Sequence, residues 1–246
     1  MKRLILPLLC FFVLASSSFA WMTLPVVGGG AATGSWEHIL GLEENEADTT
    51  VANAGTIGTA WVSRDNTVDY HDASAKVGSG CFNFDAVSDG IYTDTAWTDE
   101  QVIFQFWWKP ANATAADTEI IGGIGDGDYN PETNEIMINR LTGTDELRLT
   151  IHYGAVTRIS STDFAPSADT WYQLRFEIDC SGNGWTPVMK YRTSSASEWT
   201  TLSLGAWDNG APNLLTLNNN LHFGTYSEDV EPDAMFDDIR IRSGTN

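Results

Sequence analysis

The sequence predicts an all-β protein, two antiparallel sheets packed face to face as a sandwich. The first observation is the run Gln101–Pro110, QVIFQFWWKP. Side chains alternate along an extended chain, so Val102, Phe104, Phe106 and Trp108 share one face while Ile103, Gln105, Trp107 and Lys109 share the other. A β-branched and aromatic run of this kind buries one whole face and presents a polar-aromatic surface on the opposite one. The second observation is a series of further short β-rich runs bounded by Gly, Asn, Asp or Pro. The third is that no stretch keeps a helical period for three turns.

The elements follow in chain order. Lys2 and Arg3, the apolar run Leu4 to Ala15 and the small-x-small Ser18-Phe19-Ala20 read as a secretory signal over residues 1–20, cleaved after Ala20. Residues 21–35 are Gly-rich and aperiodic, a lead-in, and the sandwich is expected over 36–246. Strands are expected at His38–Glu43, Thr59–Val62, Val77–Asp85 and Asp89–Tyr92, ahead of Gln101–Pro110. Glu119–Ile124, Glu135–Leu141, Glu146–Tyr153 and Trp171–Asp179 come after it. Val188–Thr193, Thr200–Leu204, Asn220–Phe223 and Phe236–Arg242 complete the set.

Composition narrows the function. The chain carries 33 acidic against 13 basic residues, a formal net charge of −20, and two of the basic residues lie in the signal. Such a surface repels nucleic acid and anionic membranes at long range, and with the signal removed no apolar stretch is left to insert in a bilayer. A secreted, extracellular or periplasmic destination permits disulfides. Cys81 and Cys180 are the two cysteines beyond the signal, and they are expected either to bridge a loop of about 100 residues or to stay as buried free thiols.

Four runs, in order, carry a family resemblance. Gly80-Cys-Phe-Asn-Phe-Asp-Ala-Val-Ser-Asp-Gly-Ile91 resembles the G-x-a-l-x-F-x-G-x-d-x-v strands of concanavalin A-like lectin/glucanase domains, specifically the laminin-G-like jelly rolls. Ala86 stands where that family often has glycine. Ile103–Pro110 resembles their T-i-s-f-W-v-k-P strand, Trp171–Ile178 their W-y-h-v-a-v-x-y strand, and Phe236–Ile241 their closing f-D-d-v-r-i strand. The resemblance spans residues 36–246 and implies a jelly roll. It says less about function, because this superfold carries lectins, hydrolases, lyases and adhesion modules.

The resemblance also implies that the first and last strands are neighbours. Glu43 and Glu44 would then approach Asp237 and Asp238, a carboxylate cluster suited to a structural calcium ion. Asp126–Glu135 mimics the first ligands of a calcium loop, but Pro131 and Met137 stand where glycine and a bidentate glutamate belong, so it reads as a solvated hairpin loop.

The outward strand faces are the candidate ligand surface. Gln105, Trp107 and Lys109 share one face, as do Arg148, Thr150 and His152, then Gln173, Arg175 and Glu177, then Lys190 and Arg192. If these faces join, Trp107 stacks on a sugar ring, amides and guanidinium groups bond hydroxyls, and the cations favour acidic polysaccharide. The alternative is a set of cross-strand ion pairs with no ligand.

No catalytic set is legible. The E-x-D-x-x-E strand of sandwich glucanases is missing, since Glu135-Ile-Met-Ile-Asn139 lacks the second and third acids. Arg148, His152, Tyr153, Gln173 and Arg175 have the residue types of a polysaccharide lyase without its Q-I-H and R-x-E-x-R signatures. The expected function is therefore a secreted, non-catalytic, lectin-like module. The alternatives are a structural or adhesion domain of an extracellular or viral assembly, and a divergent lyase.

Overall fold

The structure is a computed structural model that describes residues 35–40, 50–57, 60–63, 75–85, 89–115, 118–125, 134–143, 146–152, 156–160, 164–208, 210, 212–224 and 233–244. Two antiparallel sheets pack as a sandwich, and no helix occurs among the described residues.

The strands are β1 (His38–Leu40), β2 (Thr50–Val51), β3 (Trp61–Ser63), β4 (Phe82–Phe84), β5 (Gly90–Trp97), β6 (Gln101–Pro110), β7 (Glu119–Ile124) and β8 (Glu135–Arg140). They continue with β9 (Leu147–His152), β10 (Val156–Ser160), β11 (Tyr172–Asp179), β12 (Val188–Arg192), β13 (Thr200–Thr201), β14 (Asn219–Gly224) and β15 (Ala234–Ser243). The first sheet runs β1-β15-β6-β11-β12-β13, with β4 also on β15; the second runs β10-β9-β8-β7-β14-β5-β3-β2. Strands β2 and β10 have no counterpart in the sequence expectation. The run from Val77 contributes only Phe82–Phe84 as a strand, because its start bends through Ser79 and pairs in a single bridge at Gly80.

Phe104, Phe106 and Trp108 of β6 face the interior and are fully buried. Phe106 meets Phe223 of the opposing sheet edge-on at 5.0 Å, and Phe176 and Phe236 of its own sheet at 6.1 and 6.0 Å. The core is thus an interlocked set of rings whose burial is the main term holding the layers together.

A bulge shapes the last strand. Its register on β6 slips between Asp237 and Arg240, and Asp238 takes a left-handed φ of 45°. Asp tolerates that region better than most residues. The extra residue lets Phe236, Ile239 and Ile241 point inward while Asp237, Arg240 and Arg242 stay on the outer face.

The two cysteines do not bridge. Both are free and buried. The Cys180 amide bonds the Glu100 carbonyl just before β6 begins, whereas Cys81 precedes Phe82, which pairs with Phe236, itself opposite Trp108 near the far end of β6. Eight residues of extended strand separate those levels by roughly 27 Å, and a disulfide needs Cα atoms within about 7 Å. Burial pushes both thiols up, Cys81 to about 11 and Cys180 to about 12, which keeps them unreactive.

Candidate functional site: the outer face of the first sheet

Register decides which of the expected ligand residues meet. On β11, Gln173 lies opposite Trp107 and Arg175 opposite Gln105 of β6; on its other side Gln173 lies opposite Arg192 and Arg175 opposite Lys190 of β12. Six of the eight expected residues therefore tile one continuous face. Arg148 and His152 do not join them. They sit on β9 of the second sheet, whose inward residues Leu147, Leu149 and Ile151 belong to the shared core, so their side of β9 is the opposite outer surface of the sandwich. Alternation assigns a residue to a face of its strand, not to a sheet.

The site's polar groups hold one another. Glu177 accepts from Arg175 at 2.7 Å and Lys190 at 2.8 Å, and Arg175 donates to the Gln105 side chain at 3.0 Å. Burial pushes the Glu177 carboxyl up, but the hydrogen bonds from Lys190 and Arg175 outweigh it and hold the group below its ordinary value. Arg192 donates to the Gln173 side chain at 2.7 Å and to the Ser195 and Ser197 carbonyls at 3.0 and 3.4 Å. Its guanidinium also lies 4.4 Å from the Trp199 ring centroid. Trp199 was not singled out in the sequence, although a lone aromatic in the Ser-rich turn TSSASEWT was a visible signal.

Trp107 is not an open platform. It is only 2% exposed, and the Lys76 ammonium sits 4.6 Å above its ring. Lys76 is held there because the Asp237 Oδ2 accepts the backbone N–H groups of both Lys76 and Val77 at 2.7 Å. The expectation that Trp107 stacks on a sugar is corrected accordingly: a strand pattern shows that an aromatic faces outward, not what crosses over it.

The expected calcium ligands divide. Glu43 and Glu44 lie outside the described residues, as do residues 126–133 of the second acidic stretch. Asp237 is committed to the two amides, and Asp238 pairs with Arg240 at 2.7 Å. Among the described residues no three carboxylate, histidine or cysteine side chains form a metal cage.

Burial pushes the Asp237 carboxyl up to about 6, against the pull of the two amides. The protonated form is therefore favoured by the fold. Stability from this group is fully present below the unfolded value near 3.8 and is lost as pH rises through about 6. Asp237→Asn keeps an acceptor for both amides and removes the charge. Its melting temperature relative to wild type is expected to climb between pH 4 and pH 7 and then level off; a difference that stays flat over that range would contradict the assignment.

No protein-family model matches the chain. No curated protein matches it in sequence either. Solved structures do. The chain superposes on domain 4 of AbnA, a GH43 extracellular arabinanase from Geobacillus stearothermophilus solved in complex with arabinotriose, at TM-score 0.55 and 16% identity, covering 85% of this chain and 93% of that one. It superposes on the binding domain of Paraclostridial Mosquitocidal Protein 1 at TM-score 0.58 and 10% identity, covering 86% of this chain and 49% of that one. A botulinum neurotoxin type C structure, whose cell entry depends on interaction with two ganglioside molecules, matches at TM-score 0.54, 10% identity and coverage of 86% and 48%. The chain spans about half the length of the toxin structures and nearly all of the arabinanase domain. At such identities the likeness is one of fold, a β-sandwich shared with these domains.

Proposed function

We propose that this chain is an exported, non-catalytic carbohydrate-binding module of the concanavalin A-like, laminin-G-like kind, with the β6–β11–β12 outer face as its glycan surface. The observation that carries the reading is the register that tiles Gln105, Gln173, Arg175, Lys190 and Arg192 on one face, with Trp199 at its corner. Amides and guanidinium groups recognise hydroxyls, and an aromatic ring supplies apolar area. Support from fold comes from the arabinanase domain, which is matched over nearly its whole length and was solved with arabinotriose. The lyase alternative loses its constellation, because Arg148 and His152 lie across the sandwich from Gln173 and Arg175.

The test is a glycan array spanning neutral and acidic glycans, probed with the chain from residue 21 onward and with its Lys190→Ala/Arg192→Ala double variant. Binding by the first and its loss in the second are expected. A silent array would favour a structural or adhesion module, for which the mutual pairing of Arg175, Lys190 and Glu177 is already sufficient explanation.

A further inference from the structure

Charge is distributed unevenly over this acidic chain. The outer face of the first sheet gathers Lys109, Arg175, Lys190, Arg192, Arg240 and Arg242, with Lys76 above Trp107, against the carboxylates of Glu177, Asp179, Asp237 and Asp238 and that of Glu37 at the sheet edge. Seven of the 13 basic residues thus share one surface of a protein with net charge −20. The repulsion is felt within the face: next to burial, the charge of Arg175 is the largest influence lowering both Arg192 and Arg242.

The nearby Glu198 acts on Arg192 through its charge alone. Among the described residues Arg192 has no ion-pair partner; its bonds go to the Gln173 amide oxygen and two backbone carbonyls, through Nε and Nη1 alone. Those acceptors and the Trp199 ring fix the guanidinium plane and leave Nη2 without an acceptor. A guanidinium held flat, half-buried, with an uncommitted N–H and a lysine two residues away is a prearranged anion receptor. Preorganisation lowers the ordering cost of binding.

Resting on the reading of this face as the glycan surface, we propose that the ligand is an anionic glycan whose carboxylate or sulfate groups seat at the Lys190–Arg192 corner beside Trp199. A neutral sugar offers the open Nη2 donor only a neutral acceptor, whereas an anionic one gives it a charge-assisted bond.

The experiment is titration calorimetry of the chain from residue 21 onward with polygalacturonate, dextran sulfate, dextran, arabinan and a poly-dT oligonucleotide, at low and high salt. Arg192→Gln and Lys190→Gln are measured beside wild type, with melting temperatures to show that each folds. Binding of polygalacturonate or dextran sulfate over dextran and arabinan is expected, weakening with salt, and the arm that binds separates carboxylate from sulfate recognition. Arg192→Gln is expected to weaken it about tenfold, the loss of one charge-assisted contact, and Arg192→Lys to restore only part. Neutral glycans bound as tightly as acidic ones, or affinity unchanged in Arg192→Gln, would overturn the inference while leaving the glycan reading intact. Equal binding of poly-dT would overturn it as unselective polyanion attraction. Titrations silent with all four glycans would defeat the glycan reading itself and the inference with it.

Discussion

Truncating Phe106 to alanine is expected to destabilise the protein by about 3–5 kcal/mol, the range for deleting a fully buried aromatic ring. Phe106 is fully buried at the middle of β6, and its ring touches Phe176 and Phe236 on its own sheet and Phe223 on the other. Alanine leaves a void facing rigid rings that cannot all shift inward, so the cavity cost adds to the lost transfer energy. Urea unfolding followed by tryptophan fluorescence measures it. A midpoint shift worth less than about 1 kcal/mol would mean the rings do not interlock as described. Since domains are stable by only about 5–15 kcal/mol, the variant is expected to sit near its unfolding threshold at 37 °C.

The second large effect is expected at Arg140. On β8 the alternation that sends Ile136 and Ile138 into the core sends Arg140 there too, fully buried, with its guanidinium 5.3 Å from the Trp108 ring centroid. It lies 3.4 Å from Glu119, its register partner on β7, and donates to the Asn112 carbonyl at 3.3 and 3.2 Å. Burial pushes the Glu119 carboxyl up, and the Arg140 charge opposes it. Glu119 is raised to about 8, so above that pH Arg140→Leu strands a buried carboxylate, a loss of about 3–5 kcal/mol. Below it Glu119 is protonated and that cost falls away, so the loss is expected to be larger at pH 9 than at pH 5. The double variant Arg140→Leu/Glu119→Gln is expected to recover much of it, as replaced buried pairs do. A loss independent of pH, measured by denaturant titration at both values, would show that the effect is one of packing alone.

Arg140 and Glu119 also mark a limit of reading strands from sequence. Both sit in runs recognisable as β, yet each is an inward charge whose partner comes from another strand, and nothing in either run announces the pairing. The alternation of β6 was legible because steric period and hydrophobicity coincide at eight of its ten residues, all but Ile103 and Trp107. The same logic placed Gln173, Arg175, Lys190 and Arg192 outward correctly and brought them beside Gln105. It failed for Arg148 and His152 because two sandwich sheets have indistinguishable strand patterns. It failed for Trp107 because Lys76, 31 residues earlier in the chain, crosses above the ring, and for the cysteines because separation along a sheet is invisible without topology.

The position of β15 has a consequence for how this protein is made. That strand lies between β1 and β6 and also holds β4, so three elements from the first half of the chain wait on residues 234–243 for their hydrogen bonds. Contacts of such long sequence separation form late. A nascent chain still emerging from the ribosome therefore has no means of closing its first sheet until its last strand has been made.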